Sequence, residues 1–148
     1  MIIRDILNMK GGAIFSIAAA GRVCDAVSMM VKHDIGSLVV NDSERMIGML
    51  TFREVLKAVD AQSGNLADLR VRDVMVANPV SAGPTDTIAQ LRIVMTQQHV
   101  RYLPITEAGK LLGVISFHDV AKAVINETSF ENRLLKRYIK NTPDTDDA

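Results

Sequence analysis

Apolar and polar residues follow two different periods along the chain, and the same order of periods occurs twice. Residues 23–30 carry apolar side chains at the spacing of an amphipathic helix, and residues 88–95 repeat that spacing. A short apolar run precedes each of these helices, and two strand-like runs joined by a polar turn follow each one. The pattern therefore predicts the order strand, helix, strand, strand, helix in each half of the chain.

The predicted elements occupy matching positions in the two halves. A closing amphipathic helix ends each half, and a last helix with Phe130, Leu134 and Tyr138 on one stripe is predicted over residues 129–141. The predicted strands are residues 13–17, 37–40 and 46–50 in the first half and 79–82, 101–106 and 111–115 in the second, and the closing helices are residues 52–62 and 117–127.

A shift of 65 residues superimposes the two halves without a gap over residues 34–59 and 99–124. The chain is therefore a duplicated unit, and two copies are too few for a solenoid. The identical pairs are Leu38 and Leu103, Gly48 and Gly113, Phe52 and Phe117, Val55 and Val120, Lys57 and Lys122, Ala58 and Ala123, and Val59 and Val124.

A unit of this size cannot cover both faces of its own small sheet, whereas two units packed about a pseudo-twofold axis can. The predicted fold is thus an α+β structure made of two β-α-β-β-α repeats. We predict a first repeat at residues 1–63, a linker at 64–72, a second repeat at 73–128, and a terminal helix with an acidic tail at 129–148.

Composition narrows the classes of function. The 148 residues contain 17 Lys and Arg against 17 Asp and Glu, and this balance disfavours a nucleic-acid partner. No apolar run approaches the roughly 20 residues of a membrane span, so no membrane partner is expected. Cys24 is the single cysteine, which excludes an intrachain disulfide and favours the reducing cytoplasm. No His or Cys cluster predicts a metal site.

Both closing helices begin with the same polar motif. Each has a glycine, two apolar residues, a hydroxyl residue, two further residues and a carboxylate, with Thr51 and Glu54 in the first repeat and Ser116 and Asp119 in the second. One interpretation is a capping box, in which hydroxyl and carboxylate satisfy free N–H groups of the first turn. Glu is the preferred partner in that box, so this interpretation is favoured more strongly for Thr51 and Glu54.

The alternative interpretation is a nucleotide site. A helix N-terminus with a hydroxyl residue favours phosphate, because free N–H groups and the helix dipole both attract an anion. An ionised carboxylate accepts two hydrogen bonds and suits the vicinal hydroxyls of a ribose. Ser116 and Asp119 are one turn apart and are therefore candidates to hold the phosphate and ribose of one nucleotide.

The repeated motifs resemble a tandem pair of CBS domains of the cystathionine-β-synthase type, also called a Bateman module. The resemblance covers about residues 4–126. It is carried by residues 48–55 (GMLTFREV) and 113–120 (GVISFHDV), supported by residues 36–40 (GSLVV), 101–105 (RYLPI) and the opening segment 9–17 (MKGGAIFSI).

The resemblance implies a regulatory module without a catalytic cofactor, which binds an adenosine-containing ligand such as AMP, ADP, ATP, NAD or S-adenosylmethionine between the repeats. In such modules the Asp holds ribose, and residues before it face phosphate. The residues implied for the main site are Gly12, Ala13, Ile14, Ser16, Arg101, Ser116, His118 and Asp119, and those implied for a second site are Thr51, Arg53, Glu54, Asn78, Pro79, Val80 and Ser81.

Glu54 departs from the family pattern, which has Asp at this position, and the main site is therefore placed at Asp119. The resemblance further implies a homodimer, with the closing helices or the helix near Tyr138 as contact surfaces, and an effector protein as partner. Two other functions stay open from the residues: a ligand-free interaction module in which both motifs are only caps, and a nucleotide-dependent enzyme. The enzyme is disfavoured because the repeats fill the chain.

Overall fold

The computed structural model describes residues 1–141, without the side chains of residues 129–131, 138, 140 and 141. The predicted acidic tail lies outside the described residues. Strands and helices are mixed along the chain, so the predicted α+β class is confirmed. The helices are α1 (Ile3–Lys10), α2 (Val23–His33), α3 (Phe52–Ala61), α4 (Val71–Val74), α5 (Ile88–Gln98) and α6 (Phe117–Asn141), and the strands are β1 (Ser16–Ala18), β2 (Ser37–Asp42), β3 (Arg45–Thr51), β4 (Val76–Ala77), β5 (Tyr102–Glu107) and β6 (Lys110–Ser116).

The first repeat is built on a four-stranded sheet with the order β1-β2-β3-β4. β1 runs parallel to β2, and the remaining pairs are antiparallel. The hairpin β2-β3 has the register Leu38 opposite Leu50. Apolar residues in the middle of both strands are buried, so the face toward α2 forms the core of the repeat.

The second repeat has a two-stranded sheet, β5-β6, in which Leu103 lies opposite Ile115. The strand predicted at residues 79–82 is wrong as a strand, because only Ala82 pairs, by a parallel bridge to Ile105. Pro79 has no N–H to donate, and Gly83 and Pro84 follow at once, so little ladder can form. The strand predicted at residues 13–17 is also shifted, to Ser16–Ala18.

Each repeat receives a helix from the start of the other repeat. Ile3 and Ile6 of α1 are buried in the core of the second repeat, among residues of α5, β5 and β6. Val71 of α4 is buried in the core of the first repeat. α1 therefore precedes the first repeat in sequence but packs on the second, and one residue of the predicted linker, Val71, is core.

Matching backbone hydrogen bonds fix this exchange of α1 and α4 between the two repeats. The Ile3 and Arg4 N–H groups donate to the carbonyls of Asp86 and Pro84, both at 2.9 Å. The Val71 and Arg72 N–H groups donate to the carbonyls of Gly21 and Ala19, at 2.8 and 3.0 Å. The acceptors are related by the same 65-residue shift as the repeats, so the exchange is reciprocal.

The last helix is continuous with the closing helix of the second repeat. Residues 117–127 and 129–141 were expected to form two helices, but α6 runs from Phe117 to Asn141 without a break. The physical reason is the absence of Gly and Pro between these ends, since those residues are the ones that terminate helices. The predicted stripe of Phe130, Leu134 and Tyr138 falls partly on side chains outside the described residues, although Leu134 is exposed.

Replacing Ile3 with Ala tests the exchange. Ile3 is 0% exposed, so the truncation is expected to lower the free energy of unfolding by about 2–5 kcal/mol. The matched control is Met9→Ala on the same helix, because Met9 is 59% exposed and its loss should cost no more than about 0.5 kcal/mol. Amide hydrogen exchange of Ile3→Ala should accelerate in α5, β5 and β6, and acceleration confined to β1–β3 would contradict the exchange.

Candidate functional site

A cleft of about 650 Å³ opens between the two repeats. The segment after α1, the start of β2 and the start of α3 contribute from the amino-terminal half, and β5, β6 and the first turn of α6 contribute from the second repeat. Its lining residues are Lys10, Gly11, Ala13, Ile14, Phe15, Asp34, Ile35, Gly36, Ser37, Val39, Phe52, Arg101, Tyr102, Val114, Ser116, Phe117 and His118.

Ser116 and Asp119 form a closed pair at the start of α6. The Ser116 N–H donates to Asp119 Oδ2 at 2.9 Å, and the Asp119 N–H donates to Ser116 Oγ at 3.1 Å. These reciprocal bonds make a capping box, so the capping interpretation holds for the geometry of this junction. The pair also fixes the Asp119 carboxylate beside the cleft wall.

Lys10 forms the closest ion pair in the neighbourhood of the cleft. Its Nζ lies 2.7 Å from Asp119 Oδ2 and 2.7 Å from the Val114 carbonyl oxygen, and it donates to both. Burial by itself raises the pKa of Asp119, but the hydrogen bonds from Lys10 and Ser116 and the charge of Lys10 outweigh it. The pKa of Asp119 is therefore held below its ordinary value of 3.8, and the carboxylate is ionised at neutral pH.

Aromatic rings and an arginine form another wall of the cleft. The rings of Phe52 and Tyr102 meet edge to face with centroids 6.3 Å apart, and the Arg101 guanidinium lies 5.5 Å from the centroid of Phe52. Burial raises the pKa of Tyr102 and the charge of Asp119 adds to this, whereas Arg101 opposes it. Tyr102 thus presents a neutral hydroxyl, and a Cβ atom at Gly36 would collide with it.

Of the residues predicted for the main site, the structure brings five together along the cleft wall: Ala13, Ile14, Arg101, Ser116 and His118. Asp119 lies just behind that wall, bonded to Lys10 and Ser116. Gly12 and Ser16 are not part of the wall, although Gly11 and Phe15 beside them are. Both repeats therefore contribute to one cleft, and the ligand-binding role of these residues stays a prediction.

The seven residues of the predicted second site do not line the cleft between the repeats, and their ligand-binding role stays a prediction. Glu54 lies on a separate groove of about 450 Å³, lined by α3, α4 and β4, that contains none of the other six. Its Oε2 accepts from the Thr51 N–H at 3.1 Å and from the Thr51 hydroxyl. Arg53 donates to the His99 carbonyl at 3.3 Å. The remaining four, Asn78, Pro79, Val80 and Ser81, lie outside both the cleft and this groove.

Sequence reasoning missed several residues of the cleft, and Lys10 is the most consequential. Lys10 belongs to the opening segment that supported the family resemblance, but nothing in that segment indicates that α1 docks on the second repeat. Phe15, Phe52 and Tyr102 were also missed. Their one sequence signal is position, since each lies beside a predicted site residue.

Among the side chains that the structure describes in residues 1–141, no three His, Cys, Asp or Glu are grouped as a metal site requires. Over the same residues, no helix is both long enough and apolar enough to span a membrane.

Comparison with protein families identifies the repeat. The sequence model of the CBS domain matches residues 14–61 and matches again over residues 71–126. The chain belongs to the CBS-domain family. The resemblance expected from the repeated motifs is confirmed, and the molecule is a CBS pair.

Three relatives match this CBS pair over most of their own length. The mitochondrial CBS domain-containing protein CBSX3 of Arabidopsis thaliana is 26% identical and covers 93% of this chain, which spans 71% of that protein. The CBS domain-containing protein YhcV of Bacillus subtilis is 31% identical, with 73% of this chain and 74% of YhcV aligned. The crystal structure of ATU1752 from Agrobacterium tumefaciens superimposes with a TM-score of 0.80 at 31% identity, covering 83% of this chain and 98% of that one.

Two more distant CBS structures contain adenosine compounds. The CBS pair of protein MJ0100 was crystallised with 5′-methylthioadenosine and S-adenosylmethionine, and superimposes on this pair with a TM-score of 0.74 at 17% identity, covering 86% of this chain and 98% of that one. CBSX2 was crystallised with AMP, and superimposes with a TM-score of 0.71 at 17% identity, covering 84% and 97%. At these identities the likeness shows a shared fold.

Replacing Lys10 with Gln tests the ion pair with Asp119. Because the folded-state pKa of Asp119 is lowered, the pair stabilises the fold above the ordinary carboxyl pKa and loses this effect as the pH falls through the folded pKa. Both side chains are partly exposed, so we expect Lys10→Gln to lower the free energy of unfolding by less than about 1 kcal/mol at pH 7. Denaturant unfolding from pH 7 to pH 3 should show this difference shrinking toward zero.

The control for this measurement is the same substitution in an Asp119→Asn background. A double-mutant cycle should give a smaller effect of Lys10→Gln there, since the carboxylate charge is already absent and only the bond to the Val114 carbonyl remains to be lost. A destabilisation that is equal at every pH, or equal in both backgrounds, would show that Lys10 acts without Asp119.

Proposed function

We propose that this CBS pair is a regulatory, non-catalytic module that binds an adenosine-containing ligand in the cleft between its repeats. The observation that carries the proposal is one cleft of about 650 Å³ that is lined by Ser116 at a helix start and by Arg101, with the Asp119 carboxylate bonded to Ser116 just behind its wall. A volume in the range of 300–1,000 Å³ is typical of small-molecule sites.

The chemistry of these groups matches the parts of a nucleotide. Asp119 is ionised and has acceptor sites for the two ribose hydroxyls. Ser116 and His118 at the start of α6 suit a phosphate, and Arg101 of the same repeat adds a fixed positive charge to the cleft. Ala13 and Ile14 offer backbone groups and apolar cover for an adenine. AMP, ADP, ATP, NAD and S-adenosylmethionine all carry the adenosine part.

The placement of the cleft supports a role in signalling. A ligand that touches both repeats contributes free energy that depends on how the repeats are arranged. Such a ligand shifts a conformational equilibrium by the difference between its affinities for the two arrangements. An effector protein or a second copy of the chain would then detect the shift.

Self-association belongs to the same proposal. Several large apolar side chains on the closing helices are exposed, among them Leu56 on α3 and Phe117 and Ile125 on α6. These two helices are related by the internal repeat, and each presents exposed apolar side chains, although at different positions of the repeat. A second copy of the chain is the partner that would cover both, giving a homodimer.

A second function is favoured by one specific observation. Both junction motifs form complete capping boxes, with Thr51 bonded to Glu54 and Ser116 bonded to Asp119. The motifs are thus fully used in stabilising helix starts, which is what a ligand-free interaction module requires of them. This alternative predicts that the cleft residues affect stability alone.

Thermal unfolding with a ligand panel separates the two functions. The panel contains AMP, ADP, ATP, NAD, NADH and S-adenosylmethionine. A ligand at about 100 times its Kd should stabilise the wild type by roughly 2.7 kcal/mol, which is several degrees in Tm for a domain of this size. Asp119→Ala should lower the affinity for that ligand about 100-fold or more, because two hydrogen bonds to a charged group are lost, each of which contributes roughly 1.5–3 kcal/mol.

The matched control is Glu54→Ala, which removes the equivalent capping carboxylate from the first repeat. Each variant should lose about 1 kcal/mol of stability, the usual contribution of a helix cap. Only Asp119→Ala should lose the ligand response. Equal binding by both variants would move the site away from Asp119, and a flat panel for wild type would favour the interaction module, provided that mass spectrometry finds no co-purified nucleotide.

Replacing Ile125 with Glu tests the homodimer. Ile125 is 64% exposed on α6, and a carboxylate there would be desolvated against the apolar surface of a second copy. Sedimentation velocity over a concentration series should show the dimer Kd rising at least about tenfold. Val31→Glu is the control, since Val31 is 77% exposed and belongs to α2, outside the closing helices. Equal dissociation constants for the two variants would contradict this interface.

A further inference from the structure

α1 is longer than the helix that plays the same part in the other repeat. α1 and α4 start alike: Asp5 accepts from the Ile2 N–H and Asp73 from the Arg70 N–H, both at 2.9 Å. They also continue alike, because Leu7 lies against Gly113 and Met75 lies against Gly48. The helix α4 has ended at Met75, whereas α1 continues for three residues beyond Leu7, as far as Lys10.

The extra turn replaces a strand. Beyond Met75 the chain forms β4, whose Val76 pairs with Met49 of β3. Val114 is the residue of β6 that matches Met49 by the 65-residue shift, and no strand of the described chain pairs with this edge of β6. Instead the Lys10 ammonium donates to the Val114 carbonyl at 2.7 Å. The longer helix thus brings a cation to a place where the other repeat has backbone.

The Lys10 ammonium also makes the surroundings of the two junction carboxylates, Asp119 and Glu54, different. Lys10 Nζ donates to Asp119 Oδ2, while Glu54 accepts only from Thr51 among the described residues. Met75, which lies with Glu54 on the smaller groove, has no charge to offer. Only the Asp119 junction therefore combines a hydroxyl, a carboxylate and an ammonium beside a cleft that both repeats share.

We propose that Lys10 makes this cleft selective for nucleotides over nucleosides, by exchanging its bond to Asp119 for one to the phosphate of the ligand. This inference rests on the proposed function and adds the ligand specificity of the cleft. Ribose hydroxyls that bind Asp119 compete with Lys10 for the same carboxylate. A nucleotide returns an anionic partner to the displaced ammonium, whereas a nucleoside leaves that ammonium without one.

The side chain is suited to such an exchange. Lysine carries a point charge on a flexible four-carbon stem, and it binds phosphate without the fixed geometry that arginine requires. Lys10 lines the cleft together with Ser116 and His118, so the phosphate position expected from those residues lies on the same wall. α1 itself is anchored by the buried Ile3 and Ile6, so the exchange needs motion of the side chain alone.

Isothermal titration with AMP and with adenosine tests the proposal on wild type and Lys10→Gln. For wild type the affinity for AMP should exceed that for adenosine at least tenfold. Lys10→Gln should lower that ratio about tenfold, through weaker AMP binding and equal or tighter adenosine binding. Lys10→Arg, which keeps the charge, should retain more of the ratio. Lys110→Gln is the matched control, because Lys110 lies at the β5–β6 turn, outside the cleft, and should leave the ratio unchanged.

The outcomes distinguish this inference from the proposed function. If wild type binds both compounds and Lys10→Gln weakens both equally or neither, selectivity does not come from Lys10 and only this inference is overturned. If wild type binds neither compound at millimolar concentration, this inference is overturned, and the thermal-unfolding panel decides separately whether the proposed function fails. Circular dichroism and thermal unfolding of each variant establish that it is folded before the titrations are compared.

Discussion

The reciprocal burial of α1 and α4 is the constraint on which the remaining structure depends. Ile3 and Ile6 complete the core of the second repeat, and Val71 completes the core of the first. Because α1 is docked on the second repeat, the chain from Lys10 to Phe15 must cross between the repeats to reach β1. That crossing segment forms one wall of the cleft. The exchange that stabilises the two cores therefore also creates the site.

The polar groups of the site serve stability and recognition at once. Ser116 and Asp119 satisfy N–H groups at the start of α6, and Asp119 also pairs with Lys10. An uncompensated carboxylate in this position would be costly, because it is largely covered by protein. The cap and the ion pair keep it ionised and fixed in orientation. The capping bonds to Ser116 keep this orientation of the carboxylate even when a ligand hydroxyl takes the place of Lys10.

Much of the fold follows from the sequence, whereas the contacts between repeats do not. The hairpins at Leu38 and Leu103 and the helices starting at Phe52 and Phe117 were predicted because periodicity and capping motifs are local signals. The burial of Ile3 follows from its apolar character, but its partner in the second repeat depends on tertiary packing. Lys10 was missed for the same reason. The pairing at residues 79–82 failed because proline and glycine removed the ladder.

The two junctions show how a duplicated unit can acquire unequal sites. In the first repeat the short helix α4 is followed by β4, which covers the edge of β3 with backbone, and Glu54 turns back onto Thr51. In the second repeat the longer helix α1 leaves the edge of β6 to a lysine side chain. A side chain can move without breaking a sheet, whereas a paired strand cannot. The extra turn of α1 thus replaces a rigid edge with a movable charge, at the one junction whose carboxylate borders the cleft.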